Sequence, residues 1–342
     1  MIAPLIAVLV GIGSWVGVGL VRRYALRRLL DVPGERSSHA SPTPRGGGLA
    51  LTVAHALGLV AAALLDCSPA SIAIAVAGGG SVVAAVGFMD DHGHVPAWQR
   101  LICHFVGCAW VVWWLGTLPP VNFGAGSVDL GVAGTLLLLV GLVWFLNLFN
   151  FMDGIDGIAA VQALSMSLSA AILLWLTAGG LAPALPPILL AAATLGFLAW
   201  NWPPAKIFMG DVGSGYLGLA LGATALWTVT EGWLTVWVWL VLAGVFLVDA
   251  TVTLVTRMMA GASFSVAHRS HAYQRLSRHW GNPRSVTLAV AVVNIAWLGP
   301  WALVAAFWPG IGSACSVLAL TPLVFAVMRI GAGRPGEFQR AS

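Results

Sequence analysis

The chain has 342 residues, of which 59% are hydrophobic and only 8% charged, with a mean hydropathy of +0.92 and a formal net charge of +4. A water-soluble domain carries about 25% charged residues, so this composition excludes a soluble globular protein. The apolar runs repeatedly reach the roughly 20 residues needed to cross a bilayer, and they lack the alternation typical of β-strands. We therefore predict an all-α polytopic membrane protein that forms a single transmembrane domain over 1–342.

The apolar runs are separated by Pro- and Gly-rich turns such as "TLPPVNFGAGS" and "WNWPPAK". The first run has no small-residue cleavage site and leads directly into further spans, so we interpret it as a retained helix and not as a signal peptide. The four cysteines show no spacing typical of a zinc site or a disulfide framework. Eleven transmembrane helices are predicted, at 1–21, 47–65, 70–89, 101–118, 134–151, 157–178, 183–200, 213–230, 234–256, 286–308 and 311–329.

The charged residues predict the orientation of these helices. All 16 lysines and arginines fall in loops of one parity, whereas the opposite loops hold only Asp66, Asp129 and Glu231. By the positive-inside rule the basic loops are cytoplasmic, which places the N-terminus outside and the C-terminus inside. Most of the arginines need not be catalytic. They could instead set the membrane orientation and attract anionic lipid headgroups. We expect the bilayer as a partner and no nucleic acid. The predicted cytoplasmic loops are about 22–46, 90–100, 151–157, 201–212 and 257–285.

Five aspartates lie on this basic face, in three separate motifs. Asp90 and Asp91 in "GFMDDHGHVP" end a helix, where the helix dipole opposes negative charge, so the pair requires a compensating metal ion or arginine. Asp211 in "IFMGDVGSGYLG" begins a helix and is equally well explained as an N-cap or as a metal ligand. The third motif, "NLFNFMDGIDG", has two pairs with i, i+3 spacing, which places each pair on nearly one helical face: Asn147 with Asn150, and Asp153 with Asp156.

Carboxylate oxygens in these motifs favour a hard divalent cation. Mg²⁺ is commonly held by one or two carboxylates together with substrate phosphates. The motifs therefore predict a metal–diphosphate site at the cytoplasmic membrane surface, with Mg²⁺ as the cofactor and Mn²⁺ as its alternative. The loop "HRSHAYQRLSRHWGNPR" could bind the phosphates or the nucleotide, and the alternative is that its basic residues only contribute surface charge. A zinc site in this loop is disfavoured because a third ligand is missing. The cationic and histidine side chains expected to flank the phosphates are Arg100, Lys206, His268, Arg269, His271, Arg275 and Arg278.

Five motifs occur in a characteristic order: "DVPGERSSHASPTPRGGGLA", "GFMDD", "NLFNFMDGIDGIAA", "FMGDVGSGYLG" and the histidine-bearing loop from 268. Together they resemble the polyprenyl-phosphate N-acetylhexosamine-1-phosphate transferases of glycosyltransferase family 4. That group starts O-antigen, enterobacterial common antigen and teichoic acid synthesis, and the phospho-MurNAc-pentapeptide transferase is a more distant branch. The resemblance implies transfer of sugar 1-phosphate from a UDP-N-acetylhexosamine to undecaprenyl phosphate, with release of UMP, in a Mg²⁺-dependent reaction at the bacterial inner (cytoplasmic) membrane.

The resemblance also implies roles for matching positions. Asp90 resembles the base that activates the lipid phosphate, and Asp91 supports the metal or that base. Asp211 resembles the Mg²⁺ ligand. Basic positions that contact substrate are Arg45 and Arg100, and His271 belongs to the histidine motif. A homodimer is also compatible with the family. The positions expected to bind the nucleotide sugar and organise the site are Asn147, Asn150, Asp153 and Asp156.

The histidine motif departs from the common pattern. The segment "HRSHAYQRL" has Tyr273 and Gln274 where many members have histidines. This variant resembles the branch that starts O-antigen repeats with N-acetylated deoxyhexosamines such as QuiNAc or FucNAc, which implies a donor other than UDP-GlcNAc. The histidine-rich loop of the MurNAc-pentapeptide branch is missing, so we do not expect a role in peptidoglycan synthesis.

A transporter or flippase for an anionic lipid-linked or nucleotide sugar is the alternative from another functional class. It would place charged residues near the bilayer midplane on paired broken helices, whereas the aspartates here cluster at one face. Asp249 is the exception, and we interpret it as a structural residue that reaches toward the cytoplasmic face. His55 and His104 are interpreted as buried hydrogen-bonding groups. A non-catalytic scaffold would not need carboxylates in three coordinated motifs.

Overall fold

A computed structural model describes residues 2–31, 42–262 and 268–334. Parts of the predicted loops 22–46 and 257–285, half of the motif 31–50 (residues 32–41) and the C-terminal Arg340 lie outside the described residues. The helices are α1 Ile2–Arg28, α2 Gly48–Leu64, α3 Ala70–His92, α4 Ala97–Leu115, α5 Gly131–Met152, α6 Ile158–Thr177, α7 Leu181–Asn201, α8 Asp211–Thr230, α9 Val236–Leu242, α10 Gly244–Met259, α11 Ala272–Trp280, α12 Pro283–Val292, α13 Gly299–Phe307 and α14 Gly312–Ile330.

Helices α12 and α13 are joined by a π-helical segment, Val293–Leu298, into one continuous span, and a 3₁₀ turn, Pro309–Ile311, leads into α14. Two short antiparallel hairpins complete the described part of the chain. Strand β1 (Leu30–Asp31) pairs with β2 (Thr43–Pro44), and β3 (Val121–Asn122) pairs with β4 (Ser127–Val128).

Ten of the eleven predicted helices are present, the predicted helix over 234–256 is divided into α9 and α10, and the all-α polytopic class is confirmed. Within the described residues, eight helices are long and apolar enough to cross a membrane, or nine if α9 and α10 form one bent span. The predicted count of eleven spans is therefore not confirmed by length and composition, because α2 has only 17 residues and α4 is not among the eight. The predicted orientation stays a prediction.

The prediction of one straight helix over 234–256 is wrong. Helices α9 and α10 meet at an angle of 78°. Gly244 begins α10, and a Cβ there would lie 2.7 Å from Leu320 and 3.0 Å from Leu298. The missing side chain thus allows the bend to pack closely against α14 and the π-helical segment.

Helix α8 lies at the centre of the bundle, and 89% of its most apolar 18-residue stretch is buried. It packs against α3, α5 and α2. Small residues make this possible, because a Cβ at Gly213 would lie 2.6 Å from the backbone of Gly48, and one at Gly218 would lie 2.7 Å from the backbone of Leu146. Close backbone approach through glycine is a common way to pack helices in lipid, where water exclusion does not drive association. This packing places the N-terminus of α8 among the ends of α2, α3 and α5.

A backbone ladder holds the start of α2 beside the start of α8. The Phe208 N–H donates to Pro44 O at 2.8 Å, and the Gly47 and Gly48 N–H groups donate to Phe208 O and Met209 O at 2.9 Å each. Arg45 lies inside this ladder, and its side chain contacts Asp91. The first and fourth of the quoted motifs are thereby joined.

Candidate active site

A cavity of about 380 Å³ opens where the ends of α3, α5 and α8 meet the loop before α11. Most of the predicted polar positions contribute to its wall. The carboxylates that line it are Asp31, Asp91, Asp153, Asp156 and Asp211. The remaining polar side chains of the wall are Arg45, Asn150, Asn201, Ser214, His268, Arg269 and Gln274. Five carboxylates thus share one cavity with two guanidinium groups.

Asp91 caps the N-terminus of α8 from the neighbouring helix α3. Its carboxylate accepts from the Asp211 N–H at 3.1 Å and from the Val212 N–H at 3.3 Å. Arg45 donates to the Asp91 backbone carbonyl at 2.6 Å, and its Nε lies 3.9 Å from Oδ1 of the same residue. The positive end of a helix dipole stabilises a carboxylate in this position. The cap of α8 is therefore Asp91, and the carboxylate of Asp211 is left to face the cavity.

Arg100 joins Asp90 to Asp211 at the other side of this helix end. Its Nη1 donates to Asp90 Oδ2 at 2.7 Å and to Asp211 Oδ2 at 2.8 Å. The second oxygen of Asp90 accepts from the Val95 N–H at 2.8 Å. The compensating charge that the adjacent pair requires is thus an arginine for Asp90 and a helix N-terminus for Asp91. Asp90 lies beside the cavity and not in its wall.

The turn between α5 and α6 carries Asp153 and Asp156. Gly157 has a φ of +76°, a conformation that favours glycine, and its N–H donates to Asn201 Oδ1 at 2.9 Å. Asp156 Oδ2 accepts from the Ala205 N–H at 2.9 Å. These bonds fasten the turn to the loop that follows α7. Asn150, one helical turn before Asp153, donates to Ser214 Oγ at 3.3 Å and so links α5 to α8.

The electrostatics of the cavity are dominated by its carboxylates. Burial raises the pKa of Asp153 to about 8, and the nearby charges of Asp211, Asp91 and Asp156 act in the same direction. Like charges in a low-dielectric site favour the neutral form. A cation in the cavity would relieve this repulsion.

The donor set of the cavity fits a hard cation. Carboxylate and amide oxygens are the ligands that Mg²⁺ prefers, and this ion usually takes only one or two carboxylates from the protein. Within 2–31, 42–262 and 268–334, no three His, Cys, Asp or Glu side chains are arranged as a complete metal cage. The site therefore fits an ion that shares its ligands with substrate phosphates, and it does not resemble a closed structural site.

The loop before α11 supplies the wall opposite the aspartates. His268, Arg269 and Gln274 line the cavity. Burial, together with the neighbouring His271 and Arg257, lowers the pKa of His268 to about 4. His268 is therefore neutral near pH 7, so it can hydrogen-bond a ligand but adds no positive charge.

Five of the predicted substrate-binding residues do not line this cavity. Asn147 donates to Val143 O within its own helix at 2.7 Å. Lys206 places its ammonium 5.7 Å from the centre of the Trp200 ring. Arg275 donates to the Arg334 carbonyl, and His271 is buried against Asp249. Arg100 also lies outside the wall, although it contacts Asp211.

Sequence reasoning missed Asp31, Asn201, Ser214 and Gln274 as cavity residues. Asp31 and Ser214 lie inside motifs that were singled out, but no pattern distinguished them from their neighbours. Asn201 lies in "WNWPPAK", which was treated only as a turn. A polar side chain at the end of an apolar helix, on the same predicted face as the aspartates, was the available signal for Asn201.

The amino-acid sequence of this chain is similar to that of several known proteins. Residues 73–229 match the family described as glycosyl transferase family 4. A decaprenyl-phosphate N-acetylglucosaminephosphotransferase of Mycolicibacterium smegmatis is 32% identical over 334 residues, which cover 86% of this chain and 79% of the relative. A protein of Bacillus subtilis, named "Probable undecaprenyl-phosphate N-acetylglucosaminyl 1-phosphate transferase", is 26% identical and the match covers 80% of this chain and 77% of the relative. A phospho-N-acetylmuramoyl-pentapeptide-transferase of Streptococcus mutans is 30% identical over 165 residues, 44% of this chain and 48% of the relative.

Proposed function

Because this chain belongs to glycosyl transferase family 4, we propose that it transfers an N-acetylhexosamine 1-phosphate from a UDP-sugar to undecaprenyl phosphate at the bacterial inner membrane. In this reaction an oxygen of the lipid phosphate attacks the phosphorus next to the sugar. The bond from that phosphorus to the bridging oxygen breaks, and UMP leaves. The product is a lipid-linked sugar diphosphate that initiates a cell-surface glycan of the O-antigen type.

The observation that carries this proposal is the single cavity that combines five aspartates with Arg45 and Arg269 at the ends of membrane helices. Both substrates carry phosphate, so the reaction must bring anions together. Catalysis of such a step depends mainly on positioned positive charge and on exact placement of the reacting groups. A site at the end of the helices lets a water-soluble donor meet an acceptor whose tail stays in lipid.

The residues have distinct proposed roles. Asp90 takes a proton from the lipid phosphate, and Arg100 orients the Asp90 carboxylate through a hydrogen bond of 2.7 Å. Arg45 and Arg269 bind phosphate oxygens through their guanidinium groups. Asn150, Asp153 and Asp156 bind the nucleotide sugar along the turn between α5 and α6. His268 adds a neutral hydrogen bond to the same substrate.

The cofactor of the proposed reaction is Mg²⁺, with Mn²⁺ as a substitute. Asp211 would hold it, with Asp91 as the second carboxylate. When bound, the ion would neutralise charge that develops on the diphosphate. Asp153, whose pKa is raised to about 8 by burial and by its acidic neighbours, would bind next to such a cation in its ionised form.

The identity of the sugar belongs to this proposal as well. Two relatives carry N-acetylglucosamine in their names, which supports an N-acetylated hexosamine. The histidine motif, with Tyr273 and Gln274, resembles the branch that uses deoxy sugars such as QuiNAc or FucNAc, and Gln274 lines the cavity. A donor panel therefore has to include both kinds of sugar.

The test is release of UMP by the purified protein with undecaprenyl phosphate and Mg²⁺. The donors are UDP-GlcNAc, UDP-GalNAc, UDP-QuiNAc, UDP-FucNAc and UDP-MurNAc-pentapeptide. We expect lipid-dependent release with one of the first four and none with the last. Folded protein that releases no UMP with any donor would contradict the proposed function and favour the transporter.

Metal removal tests the cofactor separately. EDTA should stop UMP release, and an excess of Mg²⁺ or Mn²⁺ should restore it. Turnover that continues at the same rate in chelator would remove the divalent cation from the mechanism.

A further inference from the structure

Asp249 is a buried carboxylate on α10 that does not touch the cavity. It lies near the bend between α9 and α10, in the part of the molecule that packs against α11 and α14. A buried carboxylate is costly unless several donors satisfy it. Its partners therefore indicate what this carboxylate does.

Within the described residues, the hydrogen bonds to Asp249 come from the start of α11, with one exception. Oδ1 accepts from the Ala272 N–H at 2.9 Å and lies 3.3 Å from Nδ1 of His271, while Oδ2 accepts from the Tyr273 N–H at 3.0 Å. The exception is Thr253, one turn further along α10, whose hydroxyl donates to Oδ1 at 3.0 Å. Both carboxylate oxygens thus bind free N–H groups at the positive end of α11.

The anchored segment in turn contacts the turn that carries Asp153. The Tyr273 hydroxyl donates to Phe151 O at 3.0 Å. Gly154 packs directly against this hydroxyl, since a Cβ at Gly154 would overlap it. The position of Tyr273 therefore fixes the backbone on both sides of Asp153.

The same segment presents three side chains to the cavity. His268 and Arg269 precede the anchored N–H groups, and Gln274 follows them. Gln274 Oε1 accepts from the His271 N–H at 3.3 Å, and the Gln274 side chain also hydrogen-bonds the Tyr273 hydroxyl, so two partners hold it in the cavity wall. One buried carboxylate holds the backbone from which all three groups project.

We propose that Asp249 is the positioning residue for the donor half of the site, which fixes the start of α11 so that His268, Arg269, Gln274 and the Phe151–Gly154 backbone together bind the nucleotide sugar. This inference rests on the proposed function. It assigns no chemical step to Asp249, which lies outside the cavity. Loss of Asp249 loosens the donor wall and leaves Asp90, Arg100 and Arg45 in place, because these belong to α3, α4 and the start of α2.

The test compares Asp249→Asn with wild type. Asparagine offers one oxygen where two are needed, and its –NH₂ would face an N–H group of α11. We expect the KM for the UDP-sugar to rise about tenfold, the effect of losing one or two hydrogen bonds. The KM for undecaprenyl phosphate should stay within about twofold and kcat within about threefold. Amide hydrogen exchange in peptides covering 268–278 should become faster in the variant, with α3 and α8 unchanged.

Thr253→Val is the matched control. It removes the one hydrogen bond to Asp249 that does not come from α11 and keeps the shape of the side chain, so the donor KM should stay within about twofold of wild type. An equal rise of donor KM in Thr253→Val, or a wild-type donor KM in Asp249→Asn, would overturn the inference. A parallel rise in both substrates' KM values would also overturn it, because a general disturbance of the bundle would have that effect.

A second variant covers the case in which Asp249→Asn does not fold. Tyr273→Phe removes the hydroxyl that bonds Phe151 O, the Gly154 backbone and the Gln274 side chain, at the other end of the same connection. We expect its donor KM to rise about threefold with the lipid KM unchanged, and an unchanged donor KM would overturn the inference. Wild-type protein that turns over no donor would contradict the proposed function itself, whereas active wild type with an unaffected Asp249→Asn contradicts only the positioning role.

Discussion

At the scale of single residues, Arg100 is the side chain that ties two motifs together. One guanidinium nitrogen donates to a carboxylate on α3 and to a carboxylate on α8, at 2.7 and 2.8 Å. Charge-assisted hydrogen bonds of this length are strong and directional. The residues that the sequence separates by 121 positions, Asp90 and Asp211, therefore act as one group.

Replacing either carboxylate by its amide should remove activity without unfolding the protein. Asp90→Asn and Asp211→Asn each keep the side-chain shape, and both carboxylates lie at the edge of the bundle. We expect UMP release to fall about 10²- to 10⁴-fold in Asp90→Asn, the usual contribution of a positioned proton-transfer group. Asp211→Asn should cause a large loss as well, because the proposed metal ion would lose a carboxylate ligand. Asp66→Asn is the control, because Asp66 is an exposed loop residue with a positive φ that asparagine also accepts. Wild-type turnover by Asp90→Asn or Asp211→Asn would contradict the role of that carboxylate.

His268 gives a prediction about pH. Its pKa is lowered to about 4 by burial and by His271 and Arg257. A histidine with a lowered pKa is protonated only below that value, so His268 stays neutral between about pH 5.5 and 8. We expect His268→Gln, which keeps a neutral hydrogen-bonding group, to leave the shape of the pH profile of donor KM unchanged over this range. If the donor KM of wild type changed with pH near pH 6 and this change were absent in His268→Gln, then His268 would titrate near pH 6. That result would contradict the lowered pKa.

At the scale of elements, the close contact of α3 with the start of α8 sets the site geometry. A Cβ at Gly87 would lie 2.6 Å from the backbone atoms of Asp211 and Val212. The last turn of α3 carries Asp90 and Asp91, and the cap that Asp91 supplies to α8 depends on this approach. Only glycine lets the two backbones come this close.

Gly87→Ala should therefore be harmful although alanine is the better helix former. Alanine gains about 1 kcal/mol of intrinsic helix propensity over glycine, but its methyl group would force α3 and α8 apart. Misplacement of reacting groups by about 1 Å can cost about 10²-fold in rate, and we expect a loss of UMP release of that order. The matched control is Gly93→Ala, since a Cβ at Gly93 meets nothing within 4 Å and its φ of −169° suits alanine. Equal activity in the two variants would contradict the importance of this contact.

The bend between α9 and α10 has a related consequence. A straight helix over 234–256 would continue past Asp249 in the direction of α9. The 78° bend gives α10 a different direction, along which it packs against α14. On this bent helix, Asp249 reaches the start of α11. The apolar run over this region contains no proline, so its sequence does not predict the bend.

At the scale of the whole molecule, the charge distribution predicts orientation. The 16 basic residues lie in or beside the predicted loops of one parity, and the cavity lies at the helix ends next to those loops. By the positive-inside rule we expect this end to be cytoplasmic. The cavity would then face the compartment that contains nucleotide sugars.

Fusion reporters test this orientation. Green fluorescent protein attached after Ser342 should fluoresce, because it folds in the cytoplasm, and alkaline phosphatase inserted at Gly126 in the β3–β4 hairpin should be active outside it. Alkaline phosphatase attached after Ser342 is the control and should be inactive. The reverse pattern would contradict the predicted orientation and move the cavity to the opposite side of the membrane.

The sequence by itself determined the membrane class, the positions of the helices and the three acidic motifs. Hydropathy is a local property, so each apolar run predicts its own helix, and a charged residue at the end of such a run stands out against its surroundings. The order and spacing of the motifs were enough to predict the family. Asp91, Asp153, Asp156 and Asp211 were correctly expected to lie together.

Only the tertiary structure decided which side chains enter the cavity and what the others do. Asn147 has the same i, i+3 relation to Asn150 as Asp153 has to Asp156, yet its amide bonds within its own helix. From the sequence, Asp211 could be either the N-cap of α8 or a metal ligand. In the structure Asp91 caps α8 from another helix, so Asp211 is not needed as the cap. These outcomes depend on the rotation of each helix and on contacts between residues far apart in the chain. No local pattern encodes them, because they are fixed only when the helices pack.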